Sequence, residues 1–89
     1  MAADSPKPIR LSVHANGYLS VRGFTVEQVR DVIETATWKF LGDNRFEASK
    51  EFVYGATWNG FHYSYVRVRP IFSESDAEIL VITVYTYYH

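Results

Sequence analysis

The sequence contains no cysteine, carries a net charge of only −1 and has no long apolar run. Without cysteine the chain can form neither disulfide bonds nor thiolate metal sites, and this fits a reducing compartment. The near-neutral charge argues against a general nucleic-acid-binding protein, which is strongly basic. No apolar run approaches the ~20 residues that span a bilayer, and the first residues show no apolar signal core. We therefore expect a cytoplasmic protein without membrane contacts.

Several motifs that carry chemistry are also missing. The sequence has no phosphate-binding glycine loop, no nucleophile elbow and no dinucleotide fingerprint. Its three histidines, His14, His62 and His89, do not show the spacing of metal ligands. We therefore expect neither a metal site nor a cofactor.

Apolar and aromatic side chains are plentiful, at 47% and 17% of the 89 residues. A disordered chain lacks this much apolar area, and the length suits one domain rather than two. Residues 1–8 contain two prolines and small residues, which predict a flexible tail. Residues 9–89 are then a single domain.

The first predicted helix covers residues 11–23. Ser12 can act as its N-cap, and Gly23 supplies the left-handed position at which helices often end. Gly17, inside the segment, lowers the helix propensity by about 1 kcal/mol relative to alanine.

The second predicted helix covers residues 26–36 and has the strongest signals. Thr25 and Gln28 have the spacing of a capping box, in which two side chains satisfy two free backbone N–H groups. Valine and isoleucine recur at helical spacing behind them, with charged residues on the other side.

Turn residues divide the remainder into strands. Gly42-Asp43-Asn44 is typical of a turn, and Asn59-Gly60 is a strong hairpin signal. The predicted strands cover residues 45–54, 61–72 and 78–88, with a short fourth strand near residues 38–40. The predicted fold is an α+β domain, with two N-terminal helices packed on one face of a three- to four-stranded antiparallel sheet.

Alternation of side chains along a strand assigns the two faces of this sheet. Val66 and Val68 are expected to face the helices. The last strand is expected to contribute the aliphatic set Leu80, Ile82 and Val84 to the same layer, as a central strand covered on both sides. The opposite face then carries Arg67 and Arg69 among tyrosines.

This opposite face has the groups that an RNA-contacting sheet needs, since arginine binds phosphate bidentately and tyrosine rings stack on bases. Alternatively, Tyr63 and Tyr65 are cross-strand packing partners and the arginines pair with Glu47 or Glu51. His14 is either a general acid or base, because imidazole titrates near neutral pH, or a structural hydrogen-bonding residue.

Four short motifs resemble a known group of proteins. They are Ser12-x-His14-Ala15, Arg22-Gly23-Phe24-Thr25, Glu27-Gln28-Val29-x-Asp31-Val32-Ile33 and the ending Val81-Ile82-Thr83-Val84-Tyr85. Together they resemble a family of small prokaryotic domains that is similar to an outlying branch of the RelE/ParE/BrnT-like toxin superfamily. The resemblance covers nearly the whole chain from about residue 9. It implies a RelE-like fold, metal-independent cleavage of mRNA and neutralisation by an antitoxin protein.

The resemblance also implies roles for individual residues. In such RNases the 2′-hydroxyl attacks the adjacent phosphorus, an acid/base group moves protons and arginines stabilise the developing charge. The implied catalytic residues are His14 as acid/base, Arg67 as a phosphate contact, and Tyr85 as a second proton donor or stacking ring. The implied RNA-binding residues are Arg22, Arg69, Tyr63 and Tyr65.

Three features depart from active members of the superfamily: the slightly acidic net charge, the interruption of the first helix by Gly17, and the scarcity of lysine, which occurs only as Lys7, Lys39 and Lys50. Three hypotheses therefore stay open. The first is a toxin-like RNase that contacts RNA and an antitoxin. The second is a non-catalytic interaction module that binds a partner protein or forms a homodimer. The third is a small-molecule-binding or accessory protein.

Overall fold

The computed structural model describes residues 7–89. Over this range the chain forms, in order, β1 (Ile9–Leu11), α1 (Val13–Gly17), α2 (Leu19–Arg22), α3 (Val26–Thr35), β2 (Lys39–Gly42), β3 (Arg45–Glu47), β4 (Lys50–Trp58), β5 (Phe61–Glu74) and β6 (Ile79–Tyr88). Within this part of the chain, no helix is long and apolar enough to cross a membrane.

The strands form one mixed sheet in the order β1-β6-β5-β3-β2, with β4 pairing beside β3 on the same side of β5. β1 is parallel to β6, and the other pairs are antiparallel. The predicted fold, two helices on a three- to four-stranded antiparallel sheet of RelE-like type, was therefore wrong. The structure has six strands and three short helices over residues 7–89.

β1 is the strand that the sequence analysis missed. Only three residues long, it pairs with Ile79–Val81 of β6, almost at the other end of the chain. The ladder continues at both ends, where Ile79 N donates to Pro8 O and Ser12 N to Val81 O, each at 2.9 Å. Residues 1–6 of the predicted tail lie outside the described residues, whereas Lys7 forms an ion pair with Glu74 at 2.9 Å.

The first predicted helix is divided into α1 and α2. Ser12 caps α1 as predicted, because its side chain accepts a hydrogen bond from Ala15 N, and Gly23 ends α2 with a left-handed φ of 73°. The break lies at Tyr18, whose N–H donates to Ala15 O, three residues earlier, at 3.1 Å. The prediction of one continuous helix was thus wrong. The low helix propensity of Gly17, at the end of α1, is a local reason for the break.

α3 agrees with the prediction. Thr25 and Gln28 form both hydrogen bonds of the capping box, at 3.0 and 3.1 Å. The buried side of the helix consists of Val29, Val32 and Ile33.

β3 and β4 act as one long strand that Pro70 of β5 interrupts. Glu47 pairs with Ile71 and Lys50 pairs with Val68, which is the same register on both sides of the gap. The gap lies opposite Pro70, which has no N–H to donate to the neighbouring strand. The predicted strand over residues 45–54 therefore exists in two pieces and extends further, to Trp58.

Both predicted turns are confirmed. Asn59 and Gly60 have φ values of 51° and 86°, and Asp43 and Asn44 have 51° and 59°. Positive φ at both central residues is what the right-handed twist of a two-residue hairpin favours.

The core lies between α3 and the sheet, and a bulge in β6 determines which of its residues belong to it. Phe72 pairs with Val81 and Ile71 with Thr83, so that one extra residue lies in β6 between them. The buried aliphatic residues of β6 are Ile79, Val81 and Val84, whereas Leu80 and Ile82 are only half-buried. The predicted set was thus right at Val84 and wrong for Leu80 and Ile82, because the bulge reverses the alternation. Val66 and Val68 are fully buried as predicted.

Candidate interaction face

On one side of the sheet, no helix formed by residues 7–89 is packed. Its outward side chains on the neighbouring strands β3–β4, β5 and β6 define the open face. They are Glu47, Glu51, Val53, Tyr65, Arg67, Arg69, Tyr85, Tyr87 and, directly after β6, His89. Tyr65 of β5 is 42% exposed. Tyr85 and Tyr87 of β6 are 39% and 45% exposed, so the predicted cover on both sides of β6 is wrong.

Arg69 is the most tightly held cation of the open face. It donates to the carboxylate of Glu47 at 2.5 Å and to the hydroxyl of Tyr87 at 3.1 Å. The hydrogen bond to Tyr87, and after it the one to Glu47, raises the pKa of Arg69 further above its ordinary value. This guanidinium is therefore already engaged by a carboxylate and a hydroxyl of the protein itself.

Arg67 is paired in a similar way, one position along the same face. Its guanidinium lies 3.6 Å from Glu51 and donates to Ser49 Oγ at 3.2 Å. His89 Nε2 also lies 3.1 Å from the carboxylate of Glu51, and the imidazole of His89 stacks on Tyr65 with ring centroids 5.7 Å apart. The alternative that the two arginines pair with Glu47 and Glu51 is thus the arrangement that the structure shows.

Tyr85 brings Arg22 of α2 and Arg69 of β5 together. The two guanidinium carbons lie 5.0 and 4.8 Å from its ring centroid. Arg22 reaches this position because it donates to Val84 O at 2.8 Å, on the edge of β6, and lies 3.9 Å from the ring of Tyr18. Each of the three distances from a guanidinium carbon to a tyrosine ring fits a cation–π interaction.

His14 lies apart from the other predicted catalytic residues. It is exposed on α1, and its ring meets Tyr18 edge-on at 4.7 Å. It approaches Tyr85 only indirectly, through Tyr18 and Arg22, whereas Arg67 lies on β5 beyond Arg69. The structure therefore brings Arg22 and Arg69 to the ring of Tyr85. His14 lies further away, at the end of a row of contacts that runs from Tyr85 through Arg22 and Tyr18.

Tyr63 does not share the surroundings of Tyr65. It is half-buried, and its ring centroid lies 5.6 Å from that of Tyr88. Tyr88 in turn donates to the carbonyl oxygens of Arg22 and Gly23, on the helix side. Tyr63 thus belongs to a packed aromatic cluster, which corresponds to the packing alternative of the sequence analysis.

Sequence reasoning did not assign Tyr87 and Tyr18 to the site. Tyr87 could have been found because it shares the alternation of Tyr85 along β6. Tyr18 gave a weaker signal, its helical spacing from His14 and Arg22, because only the tertiary fold places α2 at the edge of β6.

A cleft of about 520 Å³ lies elsewhere, at the end of the sheet where β1 pairs with β6. It is lined by Ile9, Ile33, Trp38 and Ile79, with Lys7, Glu34 and Glu74 at its polar side. Its volume falls in the range of small-molecule sites. Among residues 7–89 no group of three or more metal-binding side chains comes together.

Comparisons with protein-family models, with curated proteins and with solved structures found no match to the chain. The resemblance to the toxin superfamily therefore stays a prediction.

Proposed function

We propose that the protein is a non-catalytic interaction module whose open face binds a partner protein. The observation that supports this most is the pairing of Arg67 and Arg69 with Glu51 and Glu47 between exposed tyrosines. Tyrosine and arginine are enriched at protein–protein interfaces, where they contribute much of the binding energy.

The same pairing weakens the case for RNA. An arginine that already donates to a carboxylate gains little from a phosphate, because the existing ion pair must be broken. Tyr65 and Tyr85 already stack with His89 and with arginine side chains, which compete with an incoming base. A balanced, half-apolar surface of this kind suits a protein surface better than a polyanion.

A photo-crosslinking experiment tests the proposal. Tyr87 is replaced by p-benzoylphenylalanine in cells of the host, and Glu27, exposed on α3, is replaced in a matched control. We expect one protein to be crosslinked from position 87 and not from position 27. The same adducts from both positions, or none from position 87, would contradict binding at the open face.

A second function, RNA cleavage of the toxin type, has one observation in its favour. Arg22, Tyr85 and Arg69 converge, and His14 continues the row through Tyr18. A phosphodiester placed beside Tyr85 would meet two guanidinium groups, which could stabilise charge in a transition state. Crosslinking of RNA, rather than protein, from position 87 would favour this function.

Growth and mRNA integrity test the RNase directly. The wild type, His14→Ala and Arg69→Ala are expressed in a bacterium under tight induction, with Arg30→Ala, an exposed arginine of α3, as control. An RNase predicts growth arrest and mRNA loss for the wild type and Arg30→Ala only. Equal growth of all four, with all proteins folded by circular dichroism, would exclude it.

A further inference from the structure

β4 leaves a nine-residue strand edge without a partner in residues 7–89. On one side it pairs with β5, and β2 pairs only with β3, so that no strand of the described chain lies against the other side of β4. Unpaired edges of this length are templates for further strand pairing, and proteins usually protect them.

The direction of the free backbone groups follows from the ladder. Tyr65 and His89 exchange both backbone hydrogen bonds, so the N–H and C=O of Tyr65 point toward β6. Those of Val66, the next residue, then point toward Phe52 of β4, its partner in register. Because alternate residues point to opposite sides, Val53 directs its N–H and C=O outward, to the free edge.

The usual protection is absent at the centre of this edge. β4 contains no proline, and its two charged residues are engaged elsewhere, Lys50 with Asp31 and Glu51 with Arg67. The register with β5 shifts between Val53 and Ala56, where Gly55 has a positive φ of 60°, so the bulge begins directly after Val53. Between these points lies Val53, whose side chain is 83% exposed.

We propose that β4 pairs with β4 of a second copy of this chain, antiparallel, about a two-fold axis at Val53. In this register Val53 faces its own copy, and both residues direct their hydrogen-bonding groups at each other. Phe52 lies opposite Tyr54 of the second copy, and Tyr54 lies opposite Phe52, which gives two aromatic cross-strand pairs. The segment is thus complementary to itself, as a two-fold interface requires.

The register centred at Val53 is preferred because the neighbouring one is unfavourable. An axis at Glu51 would place two carboxylates directly opposite each other. The outer edges of β1 and β2 offer only three and four residues.

The dimer has a consequence for the open face. A two-fold axis perpendicular to a continuous sheet leaves the same face of both copies on the same side. Val53 is the β4 partner of Tyr65, so the two open faces would meet at these residues and form one surface of double length. The inference concerns the edge of the sheet and does not depend on what the open face binds.

The absence of native cysteine makes disulfide trapping a direct test. In the proposed dimer the two copies of residue 53 are about 5.5 Å apart between Cα atoms, within disulfide reach. The Cα atoms of the two copies of residue 51 are offset by four residues along the strand, roughly 13 Å, which is too far for a disulfide bond. We expect Val53→Cys to form a disulfide-linked dimer under mild oxidation, whereas Glu51→Cys and the exposed Val13→Cys on α1 do not.

Sedimentation equilibrium supplies the second measurement. The wild type and Val53→Thr should sediment at twice the mass of one chain, while Val53→Lys, which opposes two ammonium groups, should sediment as a monomer. Because Val53 is exposed, its cysteine, threonine and lysine variants should all keep the wild-type circular dichroism spectrum. A wild-type monomer up to submillimolar concentration, or equal trapping at positions 51 and 53, would overturn the proposal.

Discussion

At the scale of single residues, Tyr88 joins more parts of the molecule than any open-face tyrosine does. Its hydroxyl donates to Arg22 O at 2.9 Å and Gly23 O at 3.2 Å. Its ring stacks on Trp58, with centroids 5.2 Å apart, and meets Tyr54 edge-on at 5.1 Å. Burial, and to a lesser extent the neighbouring Tyr54, raises the pKa of Tyr88 above its ordinary value of 10.0.

We expect Tyr88→Phe to lower the free energy of unfolding by about 1 kcal/mol at pH 7, because the hydroxyl no longer donates to Arg22 O and Gly23 O, and only Arg22 O keeps another side-chain donor, Thr86 Oγ1 at 2.8 Å. The raised pKa adds a pH dependence. A group with a raised folded-state pKa contributes stability that is complete below the unfolded-state value and is lost as pH rises through the folded-state value. The difference between wild type and Tyr88→Phe should therefore shrink above pH 10.0.

Urea unfolding between pH 7 and 11 measures this difference, with the exposed Tyr65→Phe as control. If the two variants are equally stable at pH 7, or if their stabilities relative to wild type follow the same course with pH, the role assigned to the Tyr88 hydroxyl is wrong.

At the scale of elements, the end of α2 depends on Gly23. Its φ is 73°, a region that costs other residues roughly 1–2 kcal/mol. A Cβ at this position would also collide with the hydroxyl of Tyr88 and lie 2.8 Å from the ring of Trp58. Gly17 at the end of α1 shows neither constraint, since no atom lies within 4 Å of an added Cβ.

We therefore expect Gly23→Ala to lower the free energy of unfolding by about 2 kcal/mol or more. Gly17→Ala should change it by no more than about 1 kcal/mol, in the stabilising direction, because alanine favours the helix. Thermal and urea unfolding of the two variants test the contrast, and a similar loss in both would show that the close packing of Gly23 has no energetic importance.

The elements that were predicted correctly from the sequence are those whose sequence signals lie within a few consecutive residues. The capping box of Thr25 and Gln28 satisfies backbone N–H groups of its own helix. The Asn59-Gly60 turn requires positive φ at both of its residues. Both requirements are visible in a few consecutive residues of the sequence. β1 could not be predicted, because three residues become a strand only when β6 lies beside them. The bulge in β6 likewise arises from pairing with β5, and it moved Leu80 out of the predicted core set.

The candidate site divides along the same line. Alternation along β5 placed Arg67 and Arg69 on one face before the fold was known. Whether those arginines are available to a ligand depends on the register of β3 and β4, which brings Glu47 and Glu51 to them. Register is a property of the assembled sheet, so the sequence could offer the ion pairs only as an alternative.

At the scale of the whole molecule, the hairpin of β4 and β5 extends beyond the rest of the sheet. β6 ends opposite Val66, and its ladder with β5 continues only to the Tyr65–His89 pair. Among residues 7–89, residues 56–63 pair only with each other and form a two-stranded arm, and two-stranded hairpins are marginally stable by themselves. Trp58 and Tyr63 hold the arm to the body through their ring contacts with Tyr88.

We expect Trp58→Ala to release this arm without unfolding the body. Loss of the stacking with Tyr88, about 1.4 kcal/mol, should accelerate amide hydrogen exchange in residues 56–63 about tenfold. Amides of β5 opposite β3 and β6 should keep their protection, because α3 and the buried Phe72 cover that part of the sheet. Native-state hydrogen exchange by NMR resolves the two regions. A uniform loss of protection along β5 would instead mean that arm and body unfold as one cooperative unit.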